Sequence, residues 1–197
     1  LSILKEDGSV TDLTPMTALG GQSARVQTLG TLSLSETPDL ALASLSLRRG
    51  AVQPVPMGLP LPGPGGWTAG QGLSAFWTGP GQWMIEAPGR AETGIEQALK
   101  QAAPDCSVTD QTDGFAAIEI TSGAGGAPIR ALLEKLVNLD AAGFGPGSAT
   151  RTGLEHMTVF VIRRAEDRLA LIGMRSLAGS LWHAVERAAQ HLQEGTQ

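Results

Sequence analysis

The chain has 197 residues, of which 26 are glycine and 12 proline; this is well above the usual share of about 12% and predicts many turns and loops. Hydrophobic residues make up 42% and charged residues 17%, which excludes a disordered chain, and no apolar run approaches the ~18 residues of a membrane span. A formal net charge of −5 with 14 scattered basic residues excludes the basic stripe of a nucleic-acid binder and the polybasic patch of a membrane-surface binder.

The opening LSILKEDGSV shows no basic region followed by an apolar one, so no secretory signal is expected and the compartment is read as cytoplasmic. Residues 1–30 read as an N-terminal arm. Residues 31–73 read as a small strand pair with a Gly/Pro-rich loop, and 74–193 as a main body continuous with those strands. In Thr31–Glu36, Leu32 and Leu34 alternate with polar residues, a half-buried strand. Ala41–Arg48 keeps the same beat at Leu45 and Leu47. A helix over 38–48, with Thr37 as cap and Pro38 in the first turn, is the other reading.

The stretch GAVQPVPMGLPLPGPGGWTAGQGL, residues 50–73, is too rich in proline for a helix interior and reads as a long ordered loop. A hairpin follows, Ala75–Thr78 and Trp83–Ala87 around Gly79-Pro80-Gly81-Gln82. Thr93-x-x-Glu96 has the spacing of a capping box, opening a helix with Ile95, Ala98, Leu99 and Ala102 inward and a stop at Pro104. A second hairpin is expected from Ser107–Thr112 and Phe115–Thr121 around Asp113-Gly114. Pro128 opens a helix with Ile129, Leu132, Leu133 and Leu136 in one stripe. A third hairpin joins Thr150–Ile162 to Leu169–Met174, and Ser176 caps a last helix that turns Leu181, Trp182, Val185 and Leu192 inward. Hairpins pair antiparallel and helices must cover a sheet to bury their stripes, so the class is α+β, with repeated hairpin–helix units and ferredoxin-like packing.

The search for chemistry is mostly negative. No lysine follows a glycine as a Walker A motif requires, and no serine sits in a nucleophile elbow. Gly70-x-Gly72-x-x-Ala75 matches a dinucleotide fingerprint only in letters, because a proline-rich loop precedes it and a strand follows. Cys106 is the one cysteine, so neither an internal disulfide nor a thiolate cluster is possible; it reads as a small buried hydrophobe. His183 and His191 are eight positions apart on a helix, about 12 Å, too far to share a metal. No catalytic, cofactor-binding or metal-binding residue is therefore assigned. Arg151, Thr152, His156 and Arg175 form a candidate polar cluster at strand and helix ends, with Arg175 able to hold a carboxylate or phosphate. Trp67, stranded among glycines and prolines, is a candidate contact for another subunit, together with Leu59 and Leu61; folding back over its own hairpin is the other outcome for Trp67.

The stretches LTPMTALGG, LASLSLRRG, LPLPGPG, AFWTGPGQWMIEAP, VTDQTDGFA, ATRTGLEH and RSLAGSLWHAVERAA, in that order over roughly residues 13–190, resemble the gamma subunit of heterotetrameric sarcosine oxidase. The wider pattern is similar to the folate-binding T-protein of the glycine cleavage system. The resemblance implies a T-protein-like fold and an assembly with alpha, beta and delta subunits. That assembly oxidises the N-methyl group of sarcosine, yields glycine and hydrogen peroxide, and passes the one-carbon unit to tetrahydrofolate. Flavins, NAD and folate are implied in partner subunits and zinc in delta, with none in this chain. Pro54 and Pro56 depart from the family's more helix-compatible stretch and leave the structure of 50–60 open. An autonomous folate-dependent one-carbon transferase is the competing reading; no position matches the T-protein's catalytic acid.

Overall fold

The computed structural model describes residues 15–194. It holds eleven strands and three α-helices: β1 Val26–Leu29, β2 Leu32–Glu36, β3 Ala41–Leu47, β4 Trp67–Gly70, β5 Leu73–Gly79, β6 Gln82–Ala87, α1 Ile95–Ala102, β7 Cys106–Asp110, β8 Phe115–Ser122, α2 Gly126–Leu136, β9 Ser148–Leu154, β10 Met157–Ala165, β11 Arg168–Met174 and α3 Ala178–Glu194. The class is α+β, as expected. The first sheet runs β1-β2-β8-β11-β10-β9 and the second β4-β5-β6-β3-β7, every pair antiparallel.

Strand alternation sorts the side chains into layers. Leu34, Ile120, Leu169 and Val161 pack on the stripes of α2 and α3 (Ile129, Leu132, Leu133, Leu181, Trp182 and Val185). Their strand neighbours Ala117, Ala170, Ile172 and Ile162 face the second sheet and meet Leu42, Phe76 and Met84; the Phe76 and Phe160 rings lie 5.0 Å apart in this seam. The far face of the second sheet, with Leu45, Ala75 and Ile85, packs on Ile95 and Leu99 of α1. The order is thus helices, sheet, sheet, helix. A strand buried on both faces loses its alternation, which is why LALIG of β11 is apolar throughout.

Several expectations need correction. Within the supposed arm, residues 1–14 lie outside the described residues, but Val26–Leu29 is a strand paired with β2. The strand expected from Ala41 onward does form, as β3 over Ala41–Leu47, and the alternative helix over 38–48 does not. The 50–73 loop contains a 3-10 turn at Pro56–Gly58 and the strand β4, which pairs Trp67 with Phe76. The capping box does not form: Gly94, in the left-handed region at φ 60, precedes α1 without a side-chain cap, and the Thr93 hydroxyl donates to the Arg90 carbonyl. Ala98 and Ala102 are exposed, so α1 buries a narrower stripe than expected. Ser176 lies within a 3-10 turn ahead of α3 and makes no capping bond.

The second expected hairpin is two strands of different sheets. β7 pairs with β3, whereas β8 pairs with β2 and β11. The Asp110 carboxylate accepts hydrogen bonds from the Thr112 amide at 2.9 Å and hydroxyl at 2.7 Å, closing a local turn. The chain then crosses from one sheet to the other through the 3-10 turn Thr112–Gly114. The third hairpin is a three-strand meander, because the chain reverses at Glu155-His156, where Glu155 takes φ 52.

Candidate functional site

Three charged side chains, Glu86, Glu119 and Arg164, meet at the seam between the sheets. Glu86 on β6 shares its strand face with Met84; Glu119 on β8 shares a face with Ala117; Arg164 on β10 shares a face with Ile162. Period-two geometry therefore aims all three at the opposing sheet. Arg164 grips Glu86 bidentately, Nη1 to Oε2 at 3.0 Å and Nη2 to Oε1 at 2.6 Å, and its Nε donates to Oε1 of Glu119. Glu86 Oε2 also accepts from Trp67 Nε1 at 3.0 Å and from the Ser74 hydroxyl at 2.7 Å. The Arg164 guanidinium lies 5.4 Å from the Trp67 ring centre, within cation–π range.

Glu86 is 0% exposed. Burial alone would weaken the proton affinity of Arg164, but the bonds to Glu86 and the charges of Glu86 and Glu119 outweigh it and hold the guanidinium above the usual arginine range. Glu119 is the weak member. Its Oε2 is buried without a partner, and burial, opposed by Arg164 and Arg168 and reinforced by Glu86, raises its pKa above the usual carboxylate range. One guanidinium faces two carboxylates, so the seam carries an excess negative charge when both are ionised.

That imbalance predicts a pH effect. A carboxyl whose folded pKa lies above its unfolded value contributes stability that is present below the unfolded pKa and lost as pH rises through the folded pKa. The Glu119→Gln variant keeps an acceptor for Arg164 Nε and has no such charge. Its melting temperature relative to the parent should therefore rise as pH is raised from about 4 toward 8; parallel melting curves would contradict the assignment.

The four members of the expected polar cluster are not brought together. Arg151 and Thr152 lie on β9, His156 is exposed in the β9–β10 turn, and Arg175 follows β11. Arg175 Nη2 donates to the Met16 carbonyl at 3.0 Å, and no side-chain hydrogen bond or ion pair joins any two of the four among the described residues. Arg175 does line a cavity of about 430 Å³ at one end of the seam, beside Met16, Glu36, Asp113 and Phe115. Glu36, 4% exposed, accepts the Leu19 and Arg25 amides at 3.0 and 3.2 Å, so its carboxylate ties down the segment that forms one cavity wall.

The three expected interface residues turn inward. Leu59 (0% exposed) and Leu61 (7%) belong to the core under α1, where the left-handed Met57 and Gly58 drop the chain. Trp67 is half-buried and bonded into the seam. Within the chain, Trp67 takes the fold-back arrangement, paired with Phe76 and bonded to Glu86. Cys106 is buried, and burial first and Asp105 second push its thiol pKa up, leaving little thiolate. His183 and His191 are exposed on α3. Gly70-x-Gly72-x-x-Ala75 is the β4–β5 hairpin, with no helix N-terminus behind it. No group of three or more metal-binding side chains occurs among the described residues, and no helix there is long and apolar enough to cross a membrane.

Comparison with known proteins supplies the remaining findings. The model of the sarcosine oxidase gamma subunit family matches residues 46–191. Among solved structures, the chain is similar to heterotetrameric sarcosine oxidase from Corynebacterium sp. U-96 in complex with pyrrole 2-carboxylate, with TM-score 0.68 and 19% identity over 84% of this chain and 87% of that one. It is also similar to the glycine cleavage system aminomethyltransferase T from Bartonella henselae, with TM-score 0.58 and 14% identity over 77% of this chain and 44% of that one. At these identities the structural likeness shows the fold. No curated protein sequence gives a significant match.

Proposed function

We propose, because the chain belongs to the sarcosine oxidase gamma subunit family, that it is a non-catalytic structural subunit of a sarcosine oxidase complex with alpha, beta and delta partners. The observation that carries this reading is the family match over residues 46–191, which takes in strands of both sheets, α1, α2 and most of α3. In the proposed complex, the N-methyl group of sarcosine is oxidised at the expense of dioxygen. Glycine and hydrogen peroxide are released and the one-carbon unit passes to tetrahydrofolate. The flavins, NAD and folate are held by the partner subunits in the cytoplasm, and this chain supplies shape and contacts. The seam supports a building role. Glu86 Oε2 receives three donors and Oε1 receives the second arm of Arg164, so this carboxylate has little freedom to act as a base.

The test compares the purified chain with the assembled complex. The chain alone should show no flavin absorption band and no sarcosine-dependent peroxide, and peroxide formation should appear with the partner subunits present. Turnover or a flavin band in the isolated chain would overturn the proposal. Equilibrium binding of tetrahydrofolate by the isolated chain would instead favour a one-carbon transferase.

A further inference from the structure

One end of the second sheet carries a groove of about 290 Å³, lined by Leu47, Gln53, Pro62, Pro64, Trp77 and Pro80. Its walls are fixed. Trp83, 3% exposed beneath it, donates its indole N–H to the Pro62 carbonyl at 2.8 Å, and Gln53 Nε2 donates to the Leu61 carbonyl at 3.0 Å. Trp77 is half-buried, and its indole N–H makes no hydrogen bond among the described residues. Apolar surface continues beyond the groove on the same segment as Gln53: Val52 is 87% exposed and Val55 61%. Two exposed arginines, Arg48 and Arg49, stand at the exit of β3 just before them, a basic step in a chain of net charge −5. Arg48 reaches the Pro104 carbonyl, while Arg49 enters no ion pair among the described residues.

We propose that this groove docks an extended, proline- and aliphatic-containing segment of another sarcosine oxidase subunit, with a carboxylate on that segment meeting Arg49. The inference rests on the proposed function, which supplies the partner subunits, and names the surface they use. Three features select the occupant. A Trp- and Pro-lined groove fits an extended chain, whose carbonyls stay free to accept an indole N–H. The exposed valines offer apolar area next to it. Arg49 offers an unpaired charge that favours an acidic partner surface over a basic one. The proline-fixed walls have little conformational freedom to lose on binding.

The experiment measures assembly of the full chain with the other subunits by co-purification and by titration. The variant Arg49→Glu/Val52→Asp/Val55→Asp alters only exposed side chains, so its melting temperature should match the parent's. Its affinity for the partner subunits should fall by at least about tenfold. Trp77→Phe keeps the ring but removes the N–H, and should weaken assembly by a smaller factor. Hydrogen exchange at residues 47–53 and 77–82 should slow on assembly. A parent chain that joins none of the partners overturns the proposed function, and this surface with it. A parent that assembles while the triple variant assembles as tightly overturns the groove alone. The double variant Val26→Asp/Met174→Ser, at other exposed apolar positions, should assemble like the parent; equal weakening there would also count against the groove.

Discussion

Replacing Arg164 with alanine should destabilise the folded chain by about 3–5 kcal/mol, the range for removing one partner of a buried ion pair. At about 2–4 °C per kcal/mol for a domain of this size, the melting temperature should fall by roughly 6–20 °C. The large effect comes from what stays behind. Glu86, 0% exposed, would keep the Trp67 and Ser74 donors but lose the one cation paired with it among the described residues, and Glu119 would lose its one donor among them. The charge itself is not a strong source of stability, because desolvation offsets most of the attraction of a buried pair. The paired replacement Glu86→Leu with Arg164→Met should therefore cost less than Arg164→Ala alone. Thermal unfolding of the three chains checks both statements. A single variant melting within about 3 °C of the parent would show that water reaches the seam and that Glu86 is not sealed from it.

The apolar part of this fold was legible in the sequence, and the charged part was not, for a definable reason. The stripe Ile129, Leu132, Leu133, Leu136 and the beat Leu32, Leu34 record burial on one face, and both faces are where periodicity puts them. Glu86 and Glu119 stand in WMIEA and AAIEI, where a carboxylate reads as a solvated strand face. The missed signal is parity: each shares its face with residues that prove to be seam-facing, but parity becomes informative only once both faces of the strand are known to be covered. The β7–β8 error has a related origin. Asp113-Gly114 between two apolar runs is a fair hairpin signal, yet the Asp110–Thr112 bonds redirect the chain to another sheet, and a local sequence cannot say which sheet its next strand joins. The strand at Trp67–Gly70 was hidden by its neighbours, since prolines before it suppress a strand reading although Trp67, Thr68 and Ala69 themselves pair in register with β5.

Trp67 ties that hidden strand to the charged seam, and its truncation separates the two roles open to it from the sequence. The indole N–H bonds a buried carboxylate at 3.0 Å, an interaction to a charged group in the ~1.5–3 kcal/mol range. The ring also covers the Arg164 guanidinium, adding about 0.5–2 kcal/mol. Trp67→Ala removes both and leaves a cavity beside Glu86, for a total of about 3–5 kcal/mol; Trp67→Phe keeps the cover and loses the hydrogen bond, so it should fall between the parent and alanine. If Trp67 works inside the chain, the alanine variant melts several degrees lower on its own and still joins the partner subunits at low temperature. A variant that melts like the parent but fails to assemble would make Trp67 a surface anchor and would contradict the seam geometry. The phenylalanine variant sharpens the comparison. Two donors, Ser74 and Arg164, remain on Glu86 Oε2 after the indole N–H is gone, so its loss should be smaller than that caused by taking Arg164 away, and the order of melting temperatures should run parent, Trp67→Phe, then Trp67→Ala.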